Sequence, residues 1–158
     1  SDVMHGPMVK AGEKMRKAYL IAFLDDHSRL VTYGGFYLSE GNDSFLDALE
    51  KALLKRGLPR KLYTDNGAAM RSHHLEQVCA SLGVALIHAR PFRPQGKGKI
   101  ERFFRSVREG FLTGFRGETI DELNEAFDLW LQDIYHWKKG SDQANHPLMR
   151  YYRDWQVS

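Results

Sequence analysis

Three carboxylates stand where they could do chemistry. Asp65 follows Lys61-Leu62-Tyr63-Thr64, a short segment that reads as a strand, and open α/β sheets place functional residues at the C-terminal ends of their strands. Glu101 lies one turn into a predicted helix, reached through the glycine- and proline-rich segment from Arg90 to Gly98. Asp2 opens another strand candidate, Asp2 to Val9. Carboxylates from three separate elements can converge. Their hard oxygen donors suit a divalent cation that keeps positions open for water and phosphate.

The surroundings of Glu101 fit a phosphate ligand as well. Between His88 and Arg108 the cations are Arg90, Arg93, Lys97, Lys99, Arg102, Arg105 and Arg108, and Glu101 is the sole carboxylate. Helical spacing puts Lys97, Arg105 and Arg108 on the face of Glu101, where they could hold a polyanionic backbone. Each feature has a plainer reading. Asp65 before Asn66-Gly67 could be a turn former, Glu101 a first-turn glutamate favoured by the helix dipole, and the basic run a solvated face. Asp25 and Asp26 end a stronger strand, but Asp25-Asp26-His27-Ser28-Arg29 reads as a turn in which carboxylates cap the backbone. His5, His73, His74 and His88 have no cysteine pair to complete a zinc site, so surface or packing roles are expected, and no zinc.

The elements that must position these groups follow from hydrophobic period. Ala18 to Leu24 is a continuous apolar run, as in a strand buried on both faces, and Leu30 to Leu38 is its β-branched and aromatic partner, with Gly34-Gly35 as a candidate bulge. Phe45, Leu46, Leu49, Ala52 and Leu53 recur at helical spacing until Gly57 and Pro59. Ser72 is placed to cap a helix carrying Leu75, Val78, Cys79 and Leu82, and Val84 to Ile87 is the next strand. The helix of Glu101 buries Ile100, Phe103, Phe104, Val107 and Phe111. The last helix buries Ile120, Leu123, Phe127, Trp130, Leu131, Ile134 and Trp137. Three strands, then helices alternating with two short strands, predict a mixed sheet with helices on its faces.

With 158 residues, 42% hydrophobic and 27% charged, the chain is one domain of ordinary size and not a disordered one. No apolar run is long enough for a membrane span and no secretory signal opens the sequence, so no membrane partner is expected. Its single cysteine, Cys79, excludes an internal disulfide and suits a reducing, cytoplasmic setting. The net charge of +3 is unevenly spread, for Glu118 to Asp133 carries six carboxylates and no lysine or arginine.

Four stretches then become recognisable: Asp2-Val3-Met4-His5-Gly6-Pro7, Tyr19 through Arg29, Leu62-Tyr63-Thr64-Asp65-Asn66-Gly67-Ala68, and Pro94-Gln95-Gly96-Lys97-Gly98-Lys99-Ile100-Glu101-Arg102. In order, over residues 1–115, they resemble the catalytic core of integrase-type (DDE) insertion-sequence transposases, in the superfamily of retroviral integrases. Asp65 and Glu101 are separated by 35 residues, the spacing after which the family's aspartate, aspartate-35-glutamate motif is named.

The resemblance implies a ribonuclease-H-like α/β fold, with a five-stranded mixed sheet, three antiparallel strands first, and helices on both faces. It implies that Asp2, Asp65 and Glu101 are catalytic and hold two Mg²⁺ or Mn²⁺ ions for 3′-end cleavage and strand transfer of DNA. Arg93, Lys97, Lys99, Arg105 and Arg108 are the expected DNA contacts. Partners would be transposon ends, target DNA and further copies of the chain as a homodimer or higher homo-oligomer. Residues 1–158 are expected to form one catalytic-core domain, 116–158 as a helical extension, with the family's N-terminal DNA-binding helix-turn-helix absent from it. A non-catalytic DNA- or protein-binding module on the same scaffold, or a ribonuclease-H-type nuclease, are the alternatives.

Overall fold

The computed structural model describes residues 2–25, 28, 30–64, 72–88 and 98–135. Strand β1 (Asp2–Ala11) pairs antiparallel with β2 (Lys14–Leu24), and β2 with β3 (Val31–Tyr37), in the order β1-β2-β3. Helix α1 (Asn42–Arg56) leads to β4 (Lys61–Thr64), then α2 (His73–Leu82) and β5 (Ala85–His88). β4 and β5 are parallel, and α2 supplies the crossover that a parallel pair requires. Helix α3 (Gly98–Ser106) runs into a π turn (Val107–Phe111) and a 3₁₀ turn (Leu112–Gly114). Helix α4 (Ile120–Trp130) ends in a second π turn (Leu131–Tyr135).

Alternation along the strands divides the apolar residues between two cores. On one face of the three-stranded sheet, Met4, Leu20, Ala22 and Phe36 pack with Ile100, Phe103, Phe104, Phe111, Phe127 and Trp130 from α3, its π turn and α4. On the other, Ile21 and Phe23 pack with Phe45 and Leu49 of α1 and Leu75 and Cys79 of α2. Helices therefore cover both faces, as the sequence predicts. The expected single five-stranded sheet is present among the described residues as a three-stranded antiparallel sheet and a two-stranded parallel one.

Local chemistry explains several boundaries. Ser72 caps α2, its Oγ accepting the Leu75 N–H at 3.0 Å, as predicted. Thr119 caps α4 in the same way, accepting from Glu122 N–H at 3.2 Å. β3 is an edge strand, and Asn124 of α4 closes part of that edge. Its side chain accepts from Phe36 N–H at 2.7 Å and donates to Phe36 C=O at 2.9 Å, pairing with backbone as a neighbouring strand would.

Two expectations need correction. Gly34-Gly35 is not the bulge, for both glycines stay in register opposite Ala22 and Ile21, and the irregularity lies between Phe23 and Leu24. What Gly34 provides is room, since a Cβ there would meet the Phe127 ring at 3.0 Å. A second irregularity, at Gly6-Pro7, lets Met4 and Val9, of opposite parity, reach the same core. In the last helix the π turn inserts a residue, so Tyr135, absent from the predicted face, takes a core position, packed edge-on to Phe103 at 5.1 Å. Trp137 and the Ile134 side chain lie outside the described residues.

Candidate active site

Asp2 is the first described residue of β1 and is half-buried, its Oδ1 accepting the Val3 N–H at 2.8 Å. With a two-residue period, Asp2 shares its face of β1 with Met4. Met4 belongs to the same buried cluster as Ile100, the residue before Glu101. Glu101 itself is exposed in the first turn of α3, at the flank of the face that buries Ile100, Phe103 and Phe104, and among the described residues no cation pairs with it. One core thus holds the two elements that carry Asp2 and Glu101. Asp65, the third carboxylate, lies outside the described residues, as do Arg93 and Lys97.

The strand from which Asp65 follows is described, and it is braced. Thr64, buried at the end of β4, shares a hydrogen bond of 3.1 Å with Nδ1 of His88 at the end of β5. The parallel register places these two residues opposite each other. This gives His88 the packing role expected of it. His5 and His73 take the surface role that is the other expectation: both are exposed, His5 bonding Lys17 Nζ at 2.9 Å and His73 pairing with Glu76 at 3.5 Å.

Asp25 is a turn residue, as its setting suggested. Its Oδ2 accepts both the N–H and the hydroxyl of Ser28, at 2.8 and 2.6 Å. Asp26 lies outside the described residues. Burial pushes the Cys79 thiol up, which suits a core residue and not a nucleophile.

Of the expected DNA contacts, Lys99 is half-buried near the start of α3, whereas Arg105 and Arg108 are exposed along its outer side. Arg105 is not a free cation. Its Nε donates to Glu109 at 3.2 Å, a surface pair one turn on. Among the described residues no three histidine, cysteine or acidic side chains gather closely enough to hold an ion, Asp65 not being one of them. No helix among these residues is long and apolar enough to cross a membrane.

The family model of the TnsB C-terminal domain matches residues 50–117. The transposase for transposon Tn552 of Staphylococcus aureus is 30% identical over 159 residues, covering 87% of this chain. This chain spans only a third (33%) of that protein. Among solved structures, the catalytic core domain of BIV integrase superposes with a TM-score of 0.75 at 18% identity, covering 99% of this chain and 95% of that one. The HTLV-2 integrase catalytic core domain, in complex with magnesium, superposes at 0.67 and 16% identity, with 95% of each chain covered. The chain's relatives are transposases, and its structural neighbours are integrase catalytic cores.

The fold is therefore ribonuclease-H-like α/β. A cleft of about 630 Å³ between β3, α1 and the turn after α4 is lined by Tyr33, Lys51, Leu54, Asp128 and Leu131 and by none of the candidate residues. Sequence reasoning missed one group of residues. Lys10, Lys14, Arg16 and Lys17 look like a solvated connection between two strands, but β1 and β2 extend through them as paired strands. The signal available was their density: four cations in eight residues, against Glu13 alone.

Proposed function

We propose that this core cleaves DNA 3′ ends and transfers them to target DNA by metal-dependent phosphoryl transfer, with Asp2, Asp65 and Glu101 as its catalytic carboxylates. The observation that carries the reading is the shared core of β1 and α3, which holds Asp2 and Glu101 on elements packed together. Three carboxylates are a donor set suited to two Mg²⁺ or Mn²⁺ ions, and magnesium accompanies the related HTLV-2 core. Bound there, the ions would activate the attacking water or 3′-hydroxyl and neutralise charge on the leaving oxygen.

The chain's own cations do the positioning. Lys99, Arg105 and Arg108, with Lys97 and Arg93, hold the phosphate backbone beside Glu101 and set its register. With β4 set beside β1 in a single five-stranded sheet, the end of the strand from which Asp65 follows would lie near Asp2. The core works as a homodimer or higher homo-oligomer in the reducing cytoplasm, where its one buried cysteine is inert.

The test is nicking and joining of a labelled duplex with Mn²⁺, comparing wild type with Asp65→Asn and Glu101→Gln. Wild type should yield both a nicked strand and a strand-transfer product, and each variant should lose both while remaining folded. Nicking without transfer would indicate a ribonuclease-H-type nuclease. Retained cleavage by Glu101→Gln would remove Glu101 from the site.

A further inference from the structure

Beyond the core, β1 and β2 continue as a two-stranded ribbon. Met8 pairs with Lys17, Val9 with Arg16, Lys10 with Met15 and Ala11 with Lys14, and the chain turns at Gly12 (φ 65°) and Glu13. Alternation puts Met8, Lys10, Met15 and Lys17 on one face. Lys14 and Arg16 lie on the face of the buried Val9. The two methionines are 55% and 58% exposed. Arg16 is held by the Leu38 carbonyl at 3.2 Å and Lys17 by His5, while among the described residues no carboxylate pairs with Lys10 or Lys14. The ribbon is also braced from the side: Lys10 N–H donates to the Glu118 carbonyl at 2.7 Å, and Lys10 bridges to Thr119 as a short parallel strand.

We propose that this ribbon is a second DNA contact, lying against the duplex backbone about one helical turn from the candidate carboxylates. The proposal rests on the reading of DNA as the substrate. Three observations support it. The ribbon carries four cations against one carboxylate, which a polyanion complements. It is a braced two-stranded element, a shape that the major groove, ~12 Å wide, admits. It also has the right reach, since β1 runs ten residues from Asp2 and a strand rises ~3.3 Å per residue, placing the turn about 30 Å from Asp2, close to the ~34 Å of one turn of B-form DNA. Met8 and Met15, flexible and apolar between the lysines, can rest on the sugar edges. Arg16, the ribbon's one guanidinium, is held by the Leu38 carbonyl and not free to read a base, so the contact is independent of sequence.

Fluorescence anisotropy across a salt series tests this with the full chain on a duplex of roughly 30 base pairs, about three helical turns. Lys10→Ala with Lys14→Ala should flatten the slope of log K against log salt by about two, because each phosphate contact contributes about 0.9. Lys10→Arg with Lys14→Arg should keep the wild-type slope, separating lost charge from a disturbed ribbon. A duplex of about 10 base pairs, one turn long, should show a smaller difference between wild type and the alanine variant. An alanine variant with the wild-type slope overturns the proposal and leaves the DNA reading standing. A wild type that binds no duplex overturns both. Unchanged DNA binding with altered sedimentation would assign the ribbon to a protein partner and overturn the proposal too.

Discussion

α3 and α4 enter the same aromatic cluster from one face of the sheet, yet their outer surfaces carry opposite charge. Inward, Phe111 of the π turn meets Phe127 and Trp130 of α4 with ring centroids 5.3 and 5.8 Å apart, and Phe103 meets Tyr135. Outward, α3 and its turn present Arg102, Arg105 and Arg108, whereas α4 presents Asp121, Glu122, Glu125 and Asp128. Burial needs only the inner residues, and they obey one rule in both helices. The outer charges contribute little to folding, so their segregation reflects what each surface meets in solution. The basic side is the one that carries Glu101.

The largest effect should come from breaking what the two helices share. Phe127 is fully buried and its ring lies against Phe36, Phe111 and Trp130. Phe127→Ala should cost about 3–5 kcal/mol, measured by denaturant unfolding, because the cavity sits under rigid neighbours. A loss below ~1 kcal/mol would mean that the cluster does not hold the helices.

A smaller effect should separate the two outer faces. Arg105→Ala with Arg108→Ala should flatten the salt slope of DNA binding by about one and not two, since Glu109 already shares the charge of Arg105. The same measurement on Asp121→Asn with Glu125→Gln should change the slope by less than about 0.5, because exposed charges farther than a Debye length, ~8 Å, from the DNA are screened. Equal effects on both faces would refute the division of labour.

How much of this was legible in the sequence depended on how local the signal was. Ser72 before an amphipathic stretch, the apolar run Ala18 to Leu24 and the 35 residues between Asp65 and Glu101 are readable because each depends on period or spacing. The π turns were not legible. An inserted helical residue is stabilised by packing, and no residue type encodes it, so Tyr135 and not the predicted periodicity fills the end of the core. The role of Gly34 was hidden too, since its neighbour Phe127 is distant in sequence. Likewise a count ended at Arg108 misses Glu109, the next residue and the partner of Arg105. The ribbon at Lys10 to Lys17 was missed because strand pairing, and not apolar pattern, extends it past the core.

The central claim, that Asp2, Asp65 and Glu101 form one metal-binding centre, is tested most directly by anomalous scattering from crystals soaked in Mn²⁺. Two manganese peaks bounded by carboxylate oxygens of these three residues are predicted, with the peaks lost in Asp65→Asn crystals. Manganese bound elsewhere, or no peak between Asp2 and Glu101 at saturating metal, would contradict it.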